Sequence, residues 1–309
     1  MKIRQSILTV TVATALIAVA PGISASTRNA ADVPTQMVIT VLPAHRGAPP
    51  EPLAPADLTV VEGQTPATVV GVQRFTGDLA GMQLFILLDD SSQSSSLSIH
   101  FPELRTFIES LPASTQVAVG YMRNGAFPLT QSFTSDHRKA ADALRLPLAS
   151  PGLNGSPYFA LSDLVGHWPS KESTPRRTVL MLTDGVDPYY DTSIVDDPYV
   201  DTAIRDAVKE GVAVYAIYLR GAGGRNAWVT NVAQSRLDQV AQETGGNAYF
   251  QDFTDPVTIS PFLQDLQDRF ENQYQITLAA LNGKGLQPVK LHTELPGLKV
   301  TAPTRIWVP

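Results

Sequence analysis

The loop Leu88-Asp89-Asp90-Ser91-Ser92-Gln93-Ser94-Ser95-Ser96 follows an apolar run, Met82 to Leu88. A carboxylate followed by hydroxyls at alternate positions, at the end of a buried strand, turns several hard oxygens toward one point. Mg²⁺ and its relatives take ligands of that kind. Two other fragments carry matching groups. Val179 to Gly185 (VLMLTDG) places Asp184 just beyond a second apolar run, and Gly155-Ser156-Pro157-Tyr158-Phe159-Ala160-Leu161 puts a hydroxyl ahead of a helix pattern. Each fragment also has a purely structural reading. A serine-rich loop before a helix commonly serves as polar cover and capping, Thr-Asp-Gly is a common turn, and Ser156-Pro157 reads as an N-cap followed by proline at the first helical position. Each of the three fragments stands at a predicted strand or helix end, where oxygen ligands could gather. The stretch Asp187 to Asp201 (DPYYDTSIVDDPYVD) holds five aspartates beside Asp184 but lacks the spacing of a calcium loop. It reads more simply as a solvated loop, with Asp187, Tyr189 and Tyr190 placed to rim a partner site.

Covalent chemistry finds less support. The chain has five histidines but neither a GxSxG elbow nor an HExxH pair. His100, His137 and His167 fall in or near helical segments, and Gly221-Ala222-Gly223-Gly224-Arg225 lacks the Lys-Ser/Thr ending of a phosphate loop. No catalytic residue is assigned, and a hydrolase remains a distant alternative. With 23 basic residues scattered among 29 acidic ones and a net charge of -6, no basic stripe tracks a phosphate backbone, which argues against nucleic acid as a partner.

The elements that must position these residues change character along the chain. Gln36 to Leu42, Leu58 to Val61 and Ala67 to Phe75 read as strands divided by Pro- and Gly-rich sequence, a β segment over 36–78. From Met82 strands and helices alternate through 82–270, ending in a helix from Ser260 to Gln273. That alternation predicts an α/β domain with a mostly parallel sheet between helices and ligands beyond the strands' carboxyl ends. Three more β stretches, YQITLAAL, QPVKLHTEL and LKVTAP, occupy 273–309. Each flank alone offers only marginal strands, so the two are expected to pair into one small β domain. Residues 1–25 have the layout of a cleavable export signal: Lys2 and Arg4, an apolar run from Ile7 to Ala20, then Pro-Gly and small residues. The expectation is a periplasmic or secreted protein with no stable membrane span after cleavage. Without cysteine, neither a disulfide nor a lipidated N-terminal Cys is available, so stability must come from packing.

Over residues 82–270 these fragments resemble the von Willebrand factor A (VWA) family, whose metal-ion-dependent adhesion site uses DxSxS after the first strand, a TDG turn and a GxT loop. The flanking β segments look like those of bacterial VWFA-related proteins. The resemblance implies a Rossmann-like fold and a non-enzymatic role, in which Mg²⁺, Mn²⁺ or Ca²⁺ binds an acidic side chain of a protein partner through an open coordination position. It also implies ligands: the first Asp, two Ser and a hydroxyl at Ser156, with Asp184 acting through water. Two registers are open. Strict spacing selects Asp90, Ser92 and Ser94, whereas the apolar run ending at Leu88 favours Asp89 and Ser91, with Gln93 in the third position. A one-residue shift turns every side chain to the other face. The rival reading is a structural or assembly scaffold whose metal site has decayed.

Overall fold

The computed structural model describes residues 34–43, 52–91, 96–148, 154–172, 174, 176–187, 189, 196–220, 226–252, 254–279, 281 and 283–308. The export-signal segment, Ser92, Gln93, Ser94, Tyr190 and the Gly221–Arg225 run lie outside them. Among the described residues no helix is long and apolar enough to cross a membrane.

The chain opens with β1 (Thr35–Pro43), β2 (Leu58–Glu62), β3 (Thr65–Ala67) and β4 (Val69–Arg74). The α/β part begins with β5 (Met82–Asp89), α1 (Phe101–Ser110), β6 (Thr115–Met122), β7 (Leu129–Thr134) and α2 (His137–Asp142). It continues through α3 (Pro157–Gly166), β8 (Arg177–Thr183), α4 (Pro198–Lys209), β9 (Val212–Tyr218), α5 (Ala227–Thr244), β10 (Ala248–Tyr249) and α6 (Ser260–Glu271). The closing strands are β11 (Gln273–Leu278), β12 (Gly285–Thr293), β13 (Leu298–Thr301) and β14 (Arg305–Val308), the last only four residues long and without a strand pattern of its own.

The central sheet has the order β10-β9-β8-β5-β6-β7, parallel except for the antiparallel edge strand β7. Every residue of β5 is buried, as its unbroken apolar run requires of a strand covered on both faces. Its side chains alternate between two cores. Leu84, Ile86 and Leu88 pack with α1, α2 and α6, while Phe85 and Leu87 pack with α3, α4 and α5. Each such buried aliphatic side chain contributes roughly 1.5–3 kcal/mol. Helix starts follow their capping residues: Asp136, Asp197 and Asn226 accept from Lys139, Tyr199 and Val229 backbone N–H groups at 2.9–3.1 Å. Gly245 ends α5 at φ 86, the left-handed conformation glycine tolerates.

The flanking segments build two four-stranded sheets, β13-β1-β11-β4 and β14-β12-β2-β3. Strands from both ends pair directly, β1 with β11 and β2 with β12. The two sheets share one apolar core containing Met37, Ile39, Val60, Ile276, Val289 and Ile306. The small β domain is thus a two-sheet sandwich, because the exposed strand faces need each other for cover.

Strand β5 pairs with β6 on one side and β8 on the other. The loops leaving β5 and β8 therefore bound a topological switch point, where such sheets open a crevice at their carboxyl edge.

Candidate metal centre

Asp89 closes β5 with the same facing as Phe85 and Leu87, and Thr183 closes β8 in register with Val179 and Met181. Both side chains consequently point to the α3–α5 side. The Thr183 hydroxyl donates to Asp89 Oδ2 at 3.0 Å, and the Ser91 backbone N–H donates to Asp89 Oδ1 at 2.9 Å. Asp184 follows, 4% exposed, with its Oδ1 accepting from the Val186 N–H at 3.0 Å. Burial, reinforced by the charge of Asp184, pushes the Asp89 carboxyl up to about 6 despite these hydrogen bonds. Two buried carboxylates from distant parts of the sequence thus lie close enough for their charges to act on each other.

The 154–156 segment closes over them. Asn124 and Asn154 exchange two hydrogen bonds, Asn124 N–H to Asn154 O at 2.7 Å and Asn154 N–H to Asn124 Oδ1 at 3.0 Å, which tie it to the turn after β6. Gly155 then lies against Asp89 so closely that a Cβ would stand 2.7 Å from Oδ1. Ser156 adopts φ 47, ψ 64, a left-handed conformation uncommon for a residue with a Cβ. Its backbone carbonyl accepts from Ala160, but its hydroxyl makes no capping hydrogen bond to α3. That hydroxyl is fully buried and has no hydrogen-bond partner. The simple N-cap reading of Ser156-Pro157 therefore does not describe its side chain.

Asp90 belongs elsewhere, which removes it from the expected ligand set. Its Oδ2 accepts from Arg123 Nε (3.1 Å), Arg123 Nη2 (2.8 Å) and Arg145 Nη2 (2.8 Å), and its Oδ1 from Arg145 Nη1 and the Leu148 N–H, both at 2.7 Å. Arg145 also stacks on Tyr121, 3.8 Å from the ring centre. Burial works against ionisation of Asp90, yet the hydrogen bonds from Arg145, Leu148 and Arg123 outweigh it and hold the carboxyl below the usual carboxylate range. Of the two registers, the one beginning at Asp89 faces Asp184. Neither arginine carried a local sequence signal, since each meets Asp90 only through the fold.

The expected partner rim also needs correction. Asp187 is fully buried, its Oδ1 accepting from the Tyr189 N–H at 2.9 Å, so it offers no rim surface. Burial raises its pKa, with the nearby Asp197 adding to the effect. Tyr189 is 56% exposed and meets Phe159 edge-on at 6.1 Å.

Among the described residues no group of three or more His, Cys, Asp or Glu side chains gathers. A cation here would be held by a mixed set, two carboxylates and hydroxyls. That set fits a hard divalent ion in three respects: its donors are oxygens, the buried Ser156 hydroxyl lacks a hydrogen-bond partner, and the charge of Asp184 opposes ionisation of Asp89, a repulsion that a cation would relieve. Gly155 and Thr183, which shape the site from both sides, lie within the GxT and TDG fragments, though their contacts could not be read from those fragments.

No protein-family model matches the chain, and no curated protein matches it. Among solved structures it is similar to the conserved hypothetical protein BatB from Bacteroides thetaiotaomicron (13% identity, 61% of this chain and 97% of that one, TM-score 0.45). It is similar to an aerotolerance-related membrane protein from Bacteroides fragilis (12% identity, 62% and 98%, TM-score 0.46). The VWA domain of SpRpn10 is a further neighbour (10% identity, 60% and 94%, TM-score 0.39). The assignment of a VWA-like α/β fold rests on the chain's own strand order, its helix-covered parallel sheet and the aspartates that follow β5 and β8.

Proposed function

We propose that this chain is an exported, non-enzymatic binding module whose sheet edge holds a divalent cation, Mg²⁺, Mn²⁺ or Ca²⁺, and offers it to an acidic side chain of a protein partner. The observation that carries this reading is the fully buried, unpartnered hydroxyl of Ser156 beside the buried Asp89 and Asp184. Asp89, Ser91 and Ser156 would hold the ion, with Asp184 in support. The bound ion would supply a positive charge whose coordination the partner's carboxylate completes. Thr183 fixes the Asp89 carboxylate through its 3.0 Å hydrogen bond, and Gly155 leaves the space beside it open. Tyr189 and Phe159 provide aromatic surface nearby.

Thermal unfolding with millimolar Mg²⁺ or Mn²⁺ tests this. Binding to the folded state alone at a hundredfold excess over Kd stabilises by about 2.7 kcal/mol. Wild-type Tm should therefore rise, and Asp184→Ala and Ser156→Ala should blunt the rise. A wild type as indifferent as Asp184→Ala would sink the proposal and favour the scaffold reading. One observation already supports that rival: Asp89 accepts hydrogen bonds from Ser91 and Thr183, so it is partly satisfied without an ion.

A further inference from the structure

The opposite end of the central sheet holds a second concavity. The first residues of β8 and β9, the end of α4 and the start of β1 enclose a cleft of about 460 Å³ where the α/β domain meets the sandwich. That volume suits a small organic molecule, and junctions between domains are a frequent place for one. Its apolar wall includes Val212, Ile306 and Trp307.

Charge in the cleft is unbalanced. Arg176, Arg177, Lys209 and Arg305 line it, against one lining carboxylate among the described residues, Glu210. Arg305 is neutralised from outside by Glu243, Nε to Oε2 at 2.7 Å. Among the described residues the other three cations have no ion pair. Arg176, only 6% exposed, donates to neutral acceptors: Gln273 Oε1 at 3.0 Å, Ala80 O at 2.9 Å and Phe270 O at 2.8 Å. Arg177 has a buried Nε with no acceptor, and Lys209 sits over the Trp307 ring at 5.8 Å. Thr35, 7% exposed and also lining the cleft, has a hydroxyl with no hydrogen-bond partner. Buried donors without acceptors, here the Arg177 Nε and the Thr35 hydroxyl, are costly, and each calls for a group that answers it. An anion in this cleft would answer all of them together.

We infer that the junction cleft binds an amphiphilic organic anion, its charged head toward Arg177, Lys209 and the Thr35 hydroxyl and its apolar body against Trp307, Ile306 and Val212. This site is independent of the cation site at the far end of the strands. Anilinonaphthalene sulfonate, an aromatic body with one sulfonate, is a suitable probe, and the uncharged phenylnaphthylamine is its control. Titration of the full-length mature protein should show one saturable site that prefers the sulfonate by about tenfold, equivalent to about 1.4 kcal/mol. Arg177→Gln and Lys209→Gln should each weaken the sulfonate about tenfold and leave the neutral dye unchanged. Energy transfer from tryptophan to bound dye should fall in Trp307→Phe while binding persists. Arg177 is partly exposed and Lys209 exposed, so at least one variant is expected to fold normally. Absence of saturable binding, equal affinity for the two dyes, or sulfonate affinity unchanged in both charge variants would overturn the inference.

Discussion

Asp89 and Asp90 are neighbours in the chain and almost equally buried, 2% and 0% exposed, yet the fold surrounds them with opposite charge. Asp89 faces Asp184 and its carboxyl rises, whereas Asp90 faces Arg123 and Arg145 and its carboxyl falls. Strand alternation is the cause: consecutive residues leave β5 toward different faces and meet different loops. A buried carboxylate needs compensation. At Asp90 two arginines supply it, whereas at Asp89 the neighbouring Asp184 charge and burial work against the ionised form, where the proposed cation would favour it.

Removing each carboxylate should therefore have unequal effects. Asp90→Ala leaves two arginines without their shared partner and should cost about 3 kcal/mol, the low end for breaking a buried pair because both arginines are about one-third exposed. Asp89→Asn in cation-free buffer keeps one oxygen to accept from the Ser91 N–H, turns an amide N–H toward the Thr183 hydroxyl, and removes the repulsion with Asp184. Its urea midpoint should match or exceed that of the wild type. Equal losses in the two variants would break the contrast.

Acidity should separate the pair next, by on the order of 2 kcal/mol. The folded Asp89 carboxyl titrates at about 6 against an ordinary 3.8, so between those values the folded state holds more protons than the unfolded chain. The Asp89 contribution to cation-free stability consequently falls as pH rises through that window and stays level above it. Cation binding runs the other way, because a proton on Asp89 competes with the ion. The Mn²⁺-induced rise in Tm should fade as pH drops below about 6 and persist at neutral pH. Asp90, with its carboxyl held low, contributes stability that is present above the ordinary carboxylate pKa and lost only in stronger acid. A Mn²⁺ effect independent of pH across the window would refute the role given to Asp89.

Much of this arrangement was legible in local sequence. The apolar run from Met82 to Leu88 marked a doubly covered strand, and its end at Leu88 favoured the Asp89 register that faces Asp184. The VLMLTDG fragment placed Asp184 beyond β8. Other features depended on the fold alone. Arg123 and Arg145 lie 33 and 55 residues from Asp90, so no periodicity linked them to it. Asp187 looked like surface in an acidic, tyrosine-bearing loop, yet its carboxylate turns inward to the Tyr189 N–H. The left-handed backbone at Ser156 was equally hidden, because Ser-Pro ahead of a helix suggests an ordinary cap. Strand β14 was missed because Arg305–Val308 is too short to show alternation.

Gly155 tests how tightly the Asp89 side is built. Gly155→Ala would bring a methyl to 2.7 Å from Asp89 Oδ1, closer than real contacts allow, and should cost about 1–2 kcal/mol and weaken the Mn²⁺ response. Gly81→Ala is the control, since a Cβ there meets nothing within 4 Å. Similar midpoints for the two variants would mean that the Asp89 carboxylate moves freely, and a preformed cation site would no longer follow.

The smallest expected effect grades the compensation around Asp90. Arg145 contacts both carboxylate oxygens, donates to Leu146 O at 2.9 Å and stacks on Tyr121, while Arg123 directs both its bonds to a single oxygen. Their side chains are 31% and 34% exposed, so solvent screening discounts each interaction. Arg145→Gln should cost about 1 kcal/mol, because it removes the two-oxygen contact and the ring stacking together. Arg123→Gln should cost no more than about 0.5 kcal/mol, because Arg145 and the Leu148 N–H still hold Asp90 ionised. Equal costs would show that Asp90 is held by the summed positive charge rather than by the geometry of Arg145, and the Asp90 side would then be less specifically built than the Asp89 side it adjoins.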